Sequence, residues 1–361
     1  MNEPIRLIVL GGFLGSGKTT SLLALARYYA GLGYRTAAIT NDHGSIGFDT
    51  QTIRAQAIEA REISEGCLCC RFRDFLYAAD DLLNSTKPEI ILAEPVGTCL
   101  NLPRGLLLPI SRYTGERYTT APLSVLVDPH RYREMKNGNR AEDCVRYLFE
   151  QQLREADILV VNKCDTLSDK EQDEVLAGIR ADFPLAQLKP ISAFRGDGME
   201  SWGRYLLDET WQENPQRSAV DYDRYIDAES SLGYLDCELA FRSEDELDLI
   251  ALTRGGIALL KDRFEEIGAR VAHVKTAGSS GRGSFRVHWT GLGEPEWIAV
   301  EKALESADCL TVTVRAKGDP DRIAEVFRAT FQEVAAVQRA EPIFRSLRAF
   351  RPRPPRGECK A

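Results

Sequence analysis

The run Ile5–Leu10 is apolar and β-prone. A glycine-rich stretch follows, and then Leu22, Leu23, Ala26 and Tyr29 recur at helical spacing. A short apolar run bounded by turn residues suits a parallel strand buried on both faces. Further strand-like runs fall at Arg35–Thr40, Glu89–Ala93, Leu123–Val127, before Asn162 and at Gln187–Ile191. Between them Phe72–Asn84, Asp143–Ala156 and Met199–Glu209 have helical spacing. This alternation predicts an α/β fold: a doubly wound, mostly parallel sheet whose ligand lies at the strand carboxyl ends.

The pattern changes after Trp211–Ser218, a polar stretch containing Pro215. Gly233–Phe241 alternates like a strand and Glu244–Ile267 is helical. Val271–Lys275 and Ser284–Thr290 read as strands joined by the glycine-rich turn Gly278–Gly283. Leu310–Val314 reads as a strand and Pro320–Val337 as a helix. This order predicts a smaller α+β domain of ferredoxin-like kind. The expected organisation is a nucleotide domain over 1–212, a linker over 213–230, an α+β domain over 231–340 and a basic, proline-rich tail over 341–361. The tail carries Arg345, Arg348, Arg351, Arg353 and Arg356. It is expected to be solvated and flexible, or to dock on an acidic partner.

The 361 residues are 43% hydrophobic, enough for about two domains with cores of their own. The net charge of −8 argues against nonspecific nucleic-acid binding, which depends on neutralising phosphates. No stretch approaches the roughly 20 apolar residues that span a bilayer. Met-Asn-Glu-Pro leads straight into the first strand, so no signal peptide is expected and the chain reads as cytoplasmic. Its nine cysteines are odd in number and mostly scattered, unlike a disulfide framework.

Gly12, Gly15, Gly17, Lys18 and Thr19 fit the phosphate-loop pattern G-x-x-x-x-G-K-[ST], in the strand–loop–helix setting it requires. In such a loop, Gly12, Gly15, Ser16, Gly17, Lys18, Thr19 and Thr20 surround the phosphates. Backbone N–H groups and the helix terminus hold the oxygens. Lys18 reaches the outer phosphates and the Thr19 hydroxyl ligates Mg²⁺. Asn162-Lys163-x-Asp165 ends an apolar strand and matches the N-K-x-D motif of GTPases. A carboxylate at Asp165 accepts hydrogen bonds from N1–H and the exocyclic amine of guanine. Adenine offers neither, so GTP is the expected nucleotide. Ser192 and Ala193 resemble the Ser-Ala turn that backs the guanine carbonyl. Glu94, at a strand carboxyl end, is placed for the Mg²⁺ shell.

Cys67, Cys69 and Cys70 lie within four residues. Thiolates at this spacing suit Zn²⁺ or another soft or borderline transition metal. Two or three ligands are too few for a closed structural site, so an open, exchangeable or dimer-shared site is expected. Cys99, Cys144, Cys164, Cys237 and Cys309 read as core or surface thiols. His43 and His130 stand as further candidate ligands. His273 and His288 fit alternating strand faces.

Taken together, Gly11–Thr20, Asn41-Asp42-His43-Gly44, Gly66-Cys67-Leu68-Cys69-Cys70, Glu94-Pro95-Val96-Gly97 and Asn162–Asp165 resemble the CobW-like P-loop GTPases, a group that includes the UreG, HypB and MeaB types. The resemblance covers about the first 200 residues in the family's order. It implies slow GTP hydrolysis coupled to delivery of a metal or metallocofactor to a client metalloprotein or corrinoid protein, and leaves a homodimer open. It also implies that Lys18, Glu94 and Asp42 act in catalysis and that Thr19, Glu94 and Asp42 hold Mg²⁺. Two departures mark a divergent branch. Ser45 stands where relatives often carry a second acid, with Asp49 nearby, and Glu94 is followed by Pro-Val-Gly-Thr-Cys. A MeaB-like chaperone gating a corrinoid enzyme and a metal-regulated GTP-binding module with negligible turnover are the alternatives.

Overall fold

The computed structural model describes residues 4–42, 48–64, 66–137, 144–216, 219–245, 247–280, 283–291, 297–301 and 309–352. The chain divides into two compact units, with the main boundary in sequence between Glu229 and Ser230.

The first unit carries strands β1 (Ile5–Gly12), β2 (Thr36–Asp42), β3 (Glu59–Ser64), β4 (Ile90–Glu94), β5 (Tyr118–Thr120), β6 (Ser124–Val127), β7 (Ile158–Val161) and β8 (Gln187–Pro190). They form one sheet in the order β3-β2-β4-β1-β6-β7-β8, with β5 also pairing β1, and every described pair is parallel. The central strands are buried along their whole length, as helices on both faces require. On one face Leu22, Leu25, Ala26 and Tyr29 of the helix Lys18–Gly31 pack with Trp202 and Leu206 of the helix Met199–Asp208. The doubly wound α/β expectation holds.

The second unit is a six-stranded sheet in the order β12-β11-β10-β13-β9-β14. Its strands are β9 (Leu232–Arg242), β10 (Arg270–Ser280), β11 (Gly283–Trp289), β12 (Trp297–Glu301), β13 (Cys309–Lys317) and β14 (Glu341–Phe350), all antiparallel. The helices Leu249–Glu266 and Pro320–Val337 share one core with it, including Leu235, Val312, Phe264 and Phe327.

Two segments differ from the sequence expectation. The start of the expected flexible tail, Glu341–Phe350, is an edge strand paired to β9 along its length. Arg348 forms a salt bridge with the buried Asp236 at 2.8 Å. Its arginines dominate composition but occupy an edge strand, where charged side chains are tolerated and block further pairing. The expected linker 213–230 holds all but the last residue of the helix Tyr222–Ser231. Tyr225 and Ala228 are buried on it, so its apolar face, not its polar composition, decides its state.

Candidate functional site

The phosphate loop closes β1 and opens the helix Lys18–Gly31. Gly12, Gly15 and Gly17 have φ of 134°, 79° and 88°, values that L side chains rarely adopt. A Cβ on Gly12 would meet Leu126 O at 2.6 Å, and one on Gly17 would meet Asn162 Nδ2 at 2.3 Å. The loop therefore needs glycine for conformation and for space. Lys18 Nζ donates to Gly12 O at 3.0 Å and Phe13 O at 3.4 Å, folding over its own loop. The buried Ser16 Oγ has no hydrogen-bond partner among the described residues. Such an atom in a glycine cradle is what a phosphate oxygen would satisfy. Thr20 is half-buried beside it.

Thr19 Oγ1 lies 3.0 Å from Asp49 Oδ1 and 3.0 Å from Glu94 Oε1. Glu94 is 3% exposed at the end of β4, and Asp49 is buried in the helix Phe48–Arg54. One hydroxyl and two carboxylates converging at a helix start form an all-oxygen donor set, the kind a hard divalent cation takes. Asp49 is the acid that this geometry brings in. Asp42 ends β2, but its side chain lies outside the described residues, as do His43 and Ser45. The sequence signal for Asp49 was its position a few residues beyond Asp42, which spacing alone could not rank.

On the base side, Asn162 Nδ2 donates to Ser16 O at 2.9 Å, and Ala193 N donates to Asn162 Oδ1 at 3.0 Å. Asn162 thus ties the phosphate loop to the Ser192-Ala193 turn. Lys163 adopts φ of 59° and its ammonium pairs with Asp128 at 2.6 Å. Burial would raise the Asp128 carboxyl, but Lys163 at hydrogen-bond range holds it below its ordinary value. The Asp165 side chain is 13% exposed, and its Oδ1 has no hydrogen-bond partner among the described residues. An unsatisfied buried carboxylate oxygen costs free energy until a donor meets it. The guanine edge supplies such donors. His130 Nε2 lies 2.7 Å from Thr166 Oγ1, next to Asp165, so the structure sets it on this side.

The thiols gather at the neighbouring strand ends. Cys67 Sγ is 2.8 Å from Cys69 Sγ and 3.1 Å from Cys70 Sγ, and Cys69 Sγ is 3.7 Å from Cys99 Sγ. Cys67, Cys69 and Cys99 are buried, with their sulfurs within 4.8 Å of one another, and Cys70 is half-buried. Cys99 is a buried core thiol, within the expectation, and the structure sets it beside the cysteine motif. No motif marks it, because it arrives from the loop after β4, 30 residues beyond Cys69. Among the other cysteines, Cys237 lies in the second core, and Cys164 donates to Val161 O. Sulfur–sulfur hydrogen bonding with Cys67, and burial, hold the Cys69 and Cys99 thiols well above their ordinary values.

Two neighbours frame this cluster. A Cβ on Gly105 would meet Cys69 Cβ at 2.7 Å. Tyr222 accepts a hydrogen bond from Asn101 Nδ2 at 2.7 Å. Burial and the nearby Cys69 push the Tyr222 phenol up to about 12. Burial, followed by Cys67 and Cys99, pushes Tyr225 well up.

The family described as CobW/HypB/UreG, nucleotide-binding domain, matches residues 6–187. The zinc chaperone YeiR of Escherichia coli is 31% identical over 170 residues, 46% of this chain and 49% of that protein. The zinc chaperone CobW of Pseudomonas aeruginosa is 28% identical over 214 residues, covering 52% and 56%. The chain thus spans about half the length of the curated relatives it matches. Among solved structures, zinc-bound YjiA GTPase from E. coli is 16% identical with a TM-score of 0.36, covering 92% of this chain and 99% of that one. HypB from Helicobacter pylori in complex with nickel is 18% identical with a TM-score of 0.40, covering 56% and 86%.

Proposed function

Because this chain belongs to the CobW/HypB/UreG nucleotide-binding family, we propose that it is a GTP-hydrolysing metallochaperone that delivers zinc or another transition metal to a client protein. Relatives named as zinc chaperones support the metal half of this reading. The phosphate-loop amides and Lys18 hold the phosphates. Thr19, Glu94 and Asp49 hold Mg²⁺, with Asp42 as a further acid for its shell. When bound there, Mg²⁺ would supply charge neutralisation for the outer phosphates, and Glu94 would orient the attacking water. Asn162 braces the base pocket, Lys163 covers it, Ser192 and Ala193 back it, and Asp165 selects guanine. Cys67 and Cys69, together with Cys70 once its disulfide is reduced, bind the delivered metal.

The observation that carries the coupling is Asn41. Its Nδ2 donates to Ile63 O at 2.7 Å and to Gly66 O at 2.6 Å, at the entry to the cysteine loop. Its Oδ1 accepts from Val96 N at 3.4 Å, two residues beyond Glu94. One side chain therefore links the thiol loop to the loop that begins at the Mg²⁺ acid. A γ-phosphate with Mg²⁺ orders such loops and hydrolysis releases them. By linkage, GTP tightens metal binding by the same factor that metal tightens GTP binding, about 5- to 150-fold for typical couplings. The test is a competition titration with a chromophoric zinc chelator in the GTP-analogue and GDP states. Equal zinc affinity in both states defeats delivery by nucleotide switching. A GTPase rate raised by a client separates a chaperone from a binding module with negligible turnover. GTP binding without any zinc binding favours the corrinoid-gating reading.

A further inference from the structure

We propose that Cys99 is a metal ligand, so that Cys67, Cys69 and Cys99 form a buried three-thiolate site joining the loop after β3 to the loop after β4. The proposal rests on the metallochaperone reading and names a donor that the cysteine motif does not contain.

Geometry carries it first. Zn–S bonds of about 2.3 Å place tetrahedral ligand sulfurs about 3.8 Å apart. Cys69 Sγ and Cys99 Sγ stand at 3.7 Å, already at that edge length. The Cys67–Cys69 pair, at 2.8 Å, would spread by about 1 Å around an ion with such bonds. That is a small adjustment for side chains on one loop.

The second observation is how firmly Cys99 is held. Its residue is 1% exposed. Its amide donates to Val96 O at 3.0 Å. Gln152 Nε2 donates to Cys99 O at 3.1 Å and to Gly97 O at 3.0 Å. The Glu155 carboxylate accepts from Asn101 N at 2.7 Å and Leu102 N at 3.1 Å. The helix Cys144–Glu155 therefore clamps the whole turn and presents the sulfur without further ordering. Preorganised ligands lose little entropy on binding.

The position has a mechanical consequence. Cys99 lies five residues after Glu94 on the same loop, and a Cβ on Gly97 would meet Leu14 Cδ2 of the phosphate loop at 2.6 Å. An ion bound by Cys99 pulls directly on the segment that lies between the Mg²⁺ acid and the phosphate loop. With Cys67 and Cys69 alone it would act on that segment less directly, through Asn41 and the contact of Cys69 Sγ with Leu100 O at 3.6 Å. Thiolate ligation releases protons to solvent as each Zn–S bond forms, and no redox step is involved.

The test counts sulfurs around zinc by X-ray absorption in reduced, full-length protein loaded with one equivalent of Zn²⁺. In a Cys70→Ser variant three sulfurs are expected, and adding Cys99→Ala lowers the count to two. Zinc affinity should fall by at least the roughly 10–100-fold that loss of an outer-shell partner already costs. Two sulfurs in Cys70→Ser, or a count unchanged by Cys99→Ala, overturns the assignment while leaving the metallochaperone reading intact. Should the double variant fail to fold, the count in reduced Cys70→Ser decides alone. A wild-type protein that binds GTP but no zinc overturns both.

Discussion

In the phosphate loop the backbone makes the geometry. Three glycines at positive φ curl consecutive residues, and Lys18 and Thr19 follow in order on the helix that they open. In the thiol cluster, side chains from two loops make the geometry, and no single stretch of chain contains all three sulfurs. A site made of backbone conformation has little room to drift, because each position requires a torsion or a space that only glycine provides. A site made of converging side chains can gain or lose a donor through one substitution in a clamped loop. The nucleotide half should therefore respond steeply to single changes, and the metal half in graded steps.

The largest effect should come from the base. Asp165→Asn removes the carboxylate whose Oδ1 faces no described partner, replacing it with an amide that suits the 2-oxo group of xanthine. GTP over ATP preference should fall from about a hundredfold or more to near parity, with xanthosine nucleotides gaining, since hydrogen-bonding sites discriminate by up to ~10⁴–10⁵. Calorimetry with the three nucleotides reads this, and equal wild-type affinity for ATP and GTP refutes the guanine assignment.

Next in size is Gly17→Ala. Its φ of 88° costs about 1–3 kcal/mol in a residue with Cβ, and the Asn162 amide 2.3 Å from that Cβ must move as well. GTP affinity should drop by about a hundredfold. Near wild-type affinity would show that the backbone, after all, is the adaptable half.

Glu94→Gln comes third. It keeps the shape beside Thr19 but halves the charge of the acid pair facing that hydroxyl. Turnover should fall by about tenfold or more while nucleotide affinity is largely kept, because charge near Mg²⁺ acts mainly on the transition state. Wild-type turnover assigns the water to another acid, and Asp49→Asn then becomes the decisive variant.

The smallest expected effect is that of Asn41→Ala. It leaves the thiols and the phosphate loop in place and removes only hydrogen bonds that link the thiol loop to the loop after β4. The ratio of zinc affinities in the GTP-analogue and GDP states should shrink by a few-fold, consistent with couplings of about 0.5–2 kcal/mol along such links. An unchanged ratio would mean that the coupling runs through the sulfur cluster and its contacts with Cys99 and Leu100 instead.

The second unit shows the limits of reading composition. Arg345, Arg348 and Arg351 drew Glu341–Phe350 towards a flexible tail, yet Pro342, Phe344, Leu347 and Ala349 pair along β9. β3 was equally hidden, since Glu59, Arg61 and Glu62 interrupt its apolar positions. Both strands lie at sheet edges, where only part of the surface is covered and the sequence pattern is correspondingly weak. The β1–α–β core, by contrast, was legible because strands buried on both faces must be apolar throughout.

Sequence by itself determined the phosphate loop, the guanine motif and the cysteine triplet, because each is a contiguous run whose chemistry depends on residue type and spacing. Only the tertiary structure decided that Asp49 joins Thr19 and Glu94, that Cys99 completes the sulfur cluster, and that Asn41 spans the loops between them. Those three depend on parallel pairing of β2 with β3 and β4, which delivers loops distant in sequence to one end of the sheet. Such convergence leaves no periodic or local mark, since each residue answers to a neighbour that the chain reaches only after folding.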